Sequence, residues 1–155
     1  MRETDPPTAP RIRQAGAENN MEILTINSKK EEKFLRRKTA DFDFNKFTKK
    51  GINELIKRMR EIMIKANGVG LAANQIGLDI KIFVAQISRT DRYGKPRTLS
   101  GDQYKFYAIF NPEIIKSSSD KIALEEGCLS VPDAYGEVLR PEKITLQGFD
   151  KHGKK

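Results

Sequence analysis

The chain has 155 residues, of which 37% are hydrophobic and 32% charged, and its formal net charge is +8. This length and composition fit one globular domain with a modest core, and no apolar run approaches the roughly 18 residues that span a bilayer. Residues 1–20 contain three acids and no hydrophobic stretch, so they are not a secretory signal peptide. A single cysteine allows no internal disulfide, which favours a cytoplasmic location.

In chain order, residues 1–20 come first and hold three of the seven prolines. Their composition predicts a disordered leader, and the folded domain is expected over residues 21–155, with Met21 as an alternative start of the protein. Apolar residues then recur at helical spacing between residues 44 and 67, which predicts an amphipathic helix closed by Gly68.

Four apolar or alternating stretches after that helix predict strands. They cover residues 80–87, 104–115, 122–132 and 141–150, with a polar loop over 88–103, a strand end at Asn111-Pro112 and a hairpin turn over 150–155. One helix among strands in hairpin order predicts the α+β class with mostly antiparallel pairing.

Lysine and arginine concentrate in three runs, over residues 28–38, 46–50 and 151–155. Such runs are usually solvated faces, and aromatic residues do not interleave with them, so a sequence-specific nucleic-acid interface is not expected. Attraction to a polyanionic partner such as a ribosome remains open.

The stretch GVGLAA at residues 68–73 satisfies the dinucleotide-binding pattern G-x-G-x-x-G/A. That fingerprint requires a strand before it and a helix after it, whereas here a helix precedes and a strand follows, so the dinucleotide interpretation is rejected. Gly68 and Gly70 allow close backbone approach to a ligand, and Gln75 offers a neutral amide donor that can polarise a carbonyl. The alternative is a glycine-rich connection with an ordinary surface glutamine.

Cys128, in the stretch EEGCLSVP, is the only cysteine and allows three interpretations. It is a small buried hydrophobe, a nucleophile with His152 as its base, or a metal ligand. The second depends on the only histidine in the chain, which lies in a lysine-rich turn. The third requires two or three further ligands.

Together the two stretches resemble the peptide deformylase family. Its glycine motif G-x-G-L-A-A-x-Q is matched at residues 68–75 and its motif E-G-C-L-S at residues 126–130. The resemblance implies a partial deformylase-like domain over residues 21–155 and a cytoplasmic hydrolase that removes the formyl group from formyl-methionine of newly made proteins.

For the site, the resemblance implies that Cys128 binds a divalent metal, iron(II) or zinc, which acidifies a bound water. Gln75 and the backbone N–H of Leu129 are implied to stabilise the oxyanion as catalytic residues.

The resemblance also implies that Gly70 binds the substrate backbone, and that Val69 and Leu124 line the methionine pocket. Glu126 is implied to support the site through a pair with Arg140.

The family's third motif, H-E-x-x-H on a central helix, supplies two more metal ligands, and a chain whose only histidine is His152 does not contain it. We expect an inactive, C-terminally truncated enzyme, with that motif encoded roughly 15–30 residues beyond Lys155. The alternative is a degenerate, non-catalytic homologue that binds ribosomes. Without that helix, a face of apolar strand residues is expected to lack cover.

Overall fold

The computed structural model describes residues 22–88 and 104–155. The predicted leader over residues 1–20 and nearly all of the predicted polar loop over 88–103 lie outside the described residues. Two α-helices and six strands form the described fold, with short 3-10 turns at Phe44–Lys46 and Ala73–Ile76. The helices are α1, Lys29–Leu35, and α2, Lys49–Lys65; the strands are β1, Gly70–Ala72, β2, Ile82–Ser88, β3, Tyr104–Ser117, β4, Lys121–Cys128, β5, Val131–Pro141, and β6, Ile144–Phe149.

The strands form two sheets, and every pairing between them is antiparallel. The larger sheet has the order β1-β2-β3-β6, and the smaller one is the β4–β5 hairpin. The α+β class with mostly antiparallel strands, predicted from the sequence, is confirmed. The predicted turn after β6 is also present, because the Asp150 N–H donates to the Lys154 carbonyl and the Gly153 N–H to the Asp150 carbonyl.

Helix α2 begins later than predicted. Thr48 starts the helix because its hydroxyl oxygen accepts a hydrogen bond from the Gly51 N–H at 3.1 Å. The preceding Phe44–Lys46 turn is separate and is capped by Asp43, whose carboxylate accepts the Asn45 N–H at 3.0 Å. The predicted end is confirmed, since the Gly68 N–H donates to the Met63 carbonyl at 2.9 Å. Helix α1 was not predicted, because the charges in residues 28–38 obscured its helical pattern.

The core lies between α2 and the larger sheet. Helical spacing puts the apolar side chains of α2 on one face, where Ile52, Leu55, Met59 and Met63 are buried. They form one cluster with sheet residues such as Leu71, Ile82, Val84 and Phe110. Phe42 closes the end of this core, with its ring centroid 4.5 Å from that of Phe47 and 4.8 Å from that of Phe110.

Strand β3 continues through Asn111 and Pro112, so the predicted strand end at these residues is wrong. The proline is accommodated because the pairing with β6 shifts register between Phe110 and Glu113. Asn111 has a positive φ of 47°. Its side-chain carbonyl accepts the Phe42 N–H at 2.6 Å and its amide donates to the Phe42 carbonyl at 3.0 Å. The backbone N–H and carbonyl of Phe42 are therefore hydrogen-bonded to this side-chain amide and not to a neighbouring strand.

Exposed apolar side chains line the strands beyond this irregularity. Ile114 on β3 lies opposite Leu146 on β6, and the two are 57% and 40% exposed. On β4, Ile122 and Leu124 point to the same face of the hairpin and are exposed as well. These exposed apolar rows agree with the expectation of an uncovered strand face.

Loss of the Asn111 side chain should destabilise the fold by about 1–3 kcal/mol, because the Phe42 N–H and carbonyl both lose their partner. We expect Asn111→Ala to cost about 1 kcal/mol more than Asn111→Gly, since only glycine adopts a positive φ without strain. Urea unfolding of both variants measures this difference. If Asn111→Gly unfolded at the same urea concentration as the wild type, the side-chain amide would not stabilise the backbone of Phe42.

Candidate active site

The two sequence motifs meet at one cavity of about 820 Å³. The glycine motif forms β1 and the 3-10 turn after it, and the cysteine motif forms the end of β4 and the turn into β5. Five of the predicted site residues line this cavity, namely Val69, Gly70, Gln75, Cys128 and Leu129. The fold thus brings together residues that are more than fifty positions apart in sequence.

Gly68 allows the close contact between the motifs. A Cβ atom at this position would lie 2.7 Å from Cδ1 of Leu129, which is shorter than real Cβ contacts. Leu129 itself packs against the buried core. Any larger residue at position 68 would therefore force the Leu129 side chain to shift from its observed position.

The side-chain amide of Gln75 is held in one orientation. Its Oε1 accepts a hydrogen bond from the Ala72 N–H at 2.9 Å, which identifies that atom as the oxygen. Its Nε2 then donates to Oγ of Ser130 at 3.1 Å and lies 3.8 Å from Sγ of Cys128. Ser130 is only 5% exposed. The amide therefore presents an N–H beside the cysteine rather than rotating freely.

Cys128 is an exposed free thiol on the cavity wall. A register shift between Gly127 and Cys128 interrupts the hairpin, and Cys128 pairs with Val131. This exposure argues against the interpretation of Cys128 as a buried hydrophobe. His152 lies in the exposed turn after β6, where its backbone N–H donates to Asp150, and it does not line the cavity.

The ligands of a metal ion are incomplete in the described part of the chain. Within residues 22–88 and 104–155, no three histidine, cysteine, aspartate or glutamate side chains lie close enough together to hold a metal ion. A catalytic zinc normally has three protein ligands. The described residues therefore do not fit a metal centre by themselves.

Glu126 and Arg140 form a bidentate ion pair across the β4–β5 hairpin. Nε of Arg140 lies 2.8 Å from Oε1 of Glu126, and the second guanidinium nitrogen lies 2.6 Å from Oε2. The hydrogen bond from Arg140 holds the pKa of Glu126 below its ordinary value, and the same bond raises the pKa of Arg140. The pair joins the strand that ends at Cys128 to its partner.

Leu124 was predicted to bind the substrate, but it does not lie at the cavity. It lies on β4, is 44% exposed and is not among the residues that line the cavity. Several lining residues were not predicted, among them Ile23 and Tyr135. The ring of Tyr135 covers Gly127, where an added Cβ would be 2.8 Å from a ring carbon. The sequence offered no periodic or motif signal for either residue.

The chain is similar to known proteins in sequence and in fold. The family model described as polypeptide deformylase matches residues 21–155. The chain belongs to the polypeptide deformylase family. A peptide deformylase of Rickettsia typhi is 33% identical over 136 residues, which cover 86% of this chain and 71% of that protein. One of Chlorobaculum parvum is 42% identical over 105 residues, 65% of this chain and about half (51%) of that protein.

A solved deformylase also shares the fold. The Met-Ala-Ser-bound peptide deformylase of Acinetobacter baumannii superposes with a TM-score of 0.70 at 26% identity, over 86% of this chain and 78% of that one. The deformylase-like fold expected from the two motifs is thereby confirmed. Within the described residues, no helix is long and apolar enough to cross a membrane.

The ion pair predicts a measurable titration shift. Because Arg140 stabilises the ionised carboxylate, Glu126 should titrate below the ordinary glutamate range in the folded chain. Arg140→Gln should bring the pKa of Glu126 back toward that range. A group with a depressed pKa stabilises the fold above its unfolded pKa, and this contribution is lost as the pH falls through the folded pKa. Carboxyl ¹³C NMR of both proteins measures the shift, and identical titration curves would contradict the assignment.

Proposed function

We propose that the chain provides the carbonyl-binding half of a peptide deformylase, which hydrolyses the formyl group from formyl-methionine of newly made proteins. The observation that carries the proposal is the fixed Gln75 amide, whose Nε2 lies 3.8 Å from the thiol of Cys128 at the cavity. A neutral donor held in this way stabilises negative charge that develops on a carbonyl oxygen. An ordinary surface glutamine would not need two partners that fix its orientation.

The position of β1 supports binding of an extended peptide. Strand β1 lies at the end of the larger sheet. One of its two edges pairs with β2, and the other has no strand partner within the described residues. An extended peptide can pair with such an edge through main-chain hydrogen bonds. We assign this backbone contact to Gly70 and the contact with the methionine side chain to Val69, which is 77% exposed at the cavity. Leu124 does not line this cavity, so the structure does not support its expected contact with the methionine side chain.

Two donors at the same cavity support polarisation of the formyl carbonyl. Gln75 contributes a side-chain N–H, and Leu129 is assigned the second donor, its backbone N–H. These N–H groups carry no formal charge, so they favour the oxyanion without binding a competing anion strongly. Glu126 and Arg140 act behind this site, because their ion pair joins the two strands that flank Cys128.

Cys128 is the proposed ligand for iron(II) or zinc, since a thiolate suits both metals. Within the part of the chain that the structure describes, no group of three histidine, cysteine or carboxylate side chains could supply the three protein ligands of a catalytic metal. We therefore expect the 155-residue polypeptide to hold no stoichiometric metal and to release no formate above the free-metal background. Elemental analysis after gel filtration and a formyl-Met-Ala-Ser assay check this. Turnover with bound metal would contradict the expected inactivity.

The remaining assignments follow from charge and from the family. Residues 1–20 are proposed to be a leader outside the catalytic domain, and the cytoplasm is proposed as the site of action. The net charge of +8 supports a long-range attraction to the ribosome, where formylated chains emerge. A binding-only homologue would share this attraction but would not need a fixed oxyanion donor.

The formyl group itself tests the assignment of Gln75 without a metal. At about pH 9, where the α-amino group of Met-Ala-Ser is neutral, the two peptides differ at the amino terminus by the formyl carbonyl and not by charge. The formylated peptide should then bind about three- to tenfold more tightly, as one net hydrogen bond provides. Gln75→Glu keeps an oxygen for Ala72 but loses the donor, and it should abolish this preference. Calorimetric titration of both peptides measures it. Equal affinities in the wild type would favour the binding-only homologue.

A further inference from the structure

A short segment before α1 lies against both halves of the site. It comprises Ile23 to Ile26, and we call it the strap. The Leu24 N–H donates to the Gln75 carbonyl at 2.8 Å, and the Ile26 N–H donates to the Ser130 carbonyl at 3.0 Å. Two backbone N–H groups of this one segment therefore donate to the two sequence motifs, one to each motif. The side chain of Ile23 lines the same cavity.

The strap is itself anchored. The intervening Thr25 N–H donates to a carboxylate oxygen of Glu31 at 2.8 Å, and Glu31 lies in the first turn of α1. Helix α1 in turn contacts the 3-10 turn that carries Gln75, and Asn74 of that turn donates to the Leu35 carbonyl at 3.1 Å. The strap is therefore connected to the glycine motif directly through Leu24 and indirectly through Glu31 and helix α1.

The two residues that the strap binds are those that determine donor geometry. Gln75 carries the fixed amide, and Ser130 both accepts from that amide and directly follows Leu129. Apart from the strap, the described hydrogen bonds between the motifs come from one rotatable side chain, the amide of Gln75. The strap adds main-chain bonds, which do not depend on a rotamer.

We propose that Ile23–Ile26 is a positioning strap that sets the distance between the Gln75 amide and the Leu129 N–H. Its residues touch neither the formyl group nor a metal through these bonds, so they act through the two donors that they hold. The strap makes the N-terminal segment part of the carbonyl site. The expected effect on peptide binding rests on the proposed function. The connection of the strap to Gln75 and Ser130 rests on the hydrogen bonds alone.

Proline substitutions test the consequence, because proline removes one backbone N–H and is tolerated at extended and turn positions outside helices and sheets. Leu24→Pro removes the donor to Gln75, and Ile26→Pro removes the donor to Ser130. Glu22→Pro is the matched control, since it adds a proline next to the strap and leaves both donors in place. The readout is the ratio of the dissociation constants of Met-Ala-Ser and formyl-Met-Ala-Ser.

We expect the ratio to fall at least threefold in Leu24→Pro and Ile26→Pro, while the affinity for Met-Ala-Ser changes less than twofold. The control should keep the wild-type ratio. A general loss of structure would instead weaken both peptides equally, and that result would overturn a positioning role. An unchanged ratio in both strap variants would overturn it as well.

Hydrogen exchange of the wild-type chain tests the connection if the variants do not fold or if the wild type shows no formyl preference. The Leu24 and Ile26 amide protons should exchange at least tenfold more slowly than that of Glu22, because both are held in hydrogen bonds. Unprotected amides at these two positions would overturn the strap whatever the peptides do. Protected amides without a formyl preference would uphold the strap and contradict the proposed function.

Discussion

The orientation of the Gln75 amide is the constraint on which the proposed chemistry depends. A glutamine side chain has three rotatable bonds and would lose its direction without partners on both of its terminal atoms. Ala72 binds the oxygen and Ser130 binds the nitrogen, so the amide can present an N–H to the cavity. Each partner belongs to a different motif, and the site therefore exists only where the two motifs pack together.

The rest of the fold supports the glycine motif more than the cysteine motif. The glycine motif lies on the sheet that α2 covers, where Leu71 and Ala73 are buried in the main core. The cysteine motif lies on a two-stranded hairpin whose residues are mostly exposed. Isolated hairpins are marginally stable in water. The hairpin is held against the rest of the fold by contacts such as Leu129 with Gly68 and Ser130 with both Gln75 and Ile26. The Glu126–Arg140 pair joins its two strands to each other.

Much of this arrangement was predictable from local patterns. Helical spacing gave the buried face of α2, alternation gave β2, β3 and β6, and two ungapped motifs gave the family and the residues at the cavity. Such signals depend on neighbours in sequence. The capping of α2 by Thr48 was missed because a threonine between lysines and phenylalanines is a weak signal beside a continuous apolar pattern.

Contacts between distant residues were not predictable in the same way. Asn111 binds Phe42 across 69 positions, and the strap binds Gln75 and Ser130 through its backbone. Backbone donors are present in every residue except proline, so the sequence does not mark which of them will be used. Strand β5 was also missed, since its alternation is interrupted by Pro132 and Gly136 and appears only when it pairs with β4.

The most direct test of the account is the location of a formyl group bound to this chain. Formyl-Met-Ala-Ser labelled with ¹³C at the formyl carbon can be added to the ¹⁵N-labelled protein, and contacts of the formyl proton can be recorded by isotope-filtered NMR. We predict nuclear Overhauser contacts to the side-chain amide protons of Gln75 and to the backbone amide proton of Leu129. Contacts that join the formyl proton to Tyr135 or Pro132 instead, with none to Gln75 or Leu129, would show that the carbonyl binds elsewhere in the cavity and would contradict the account.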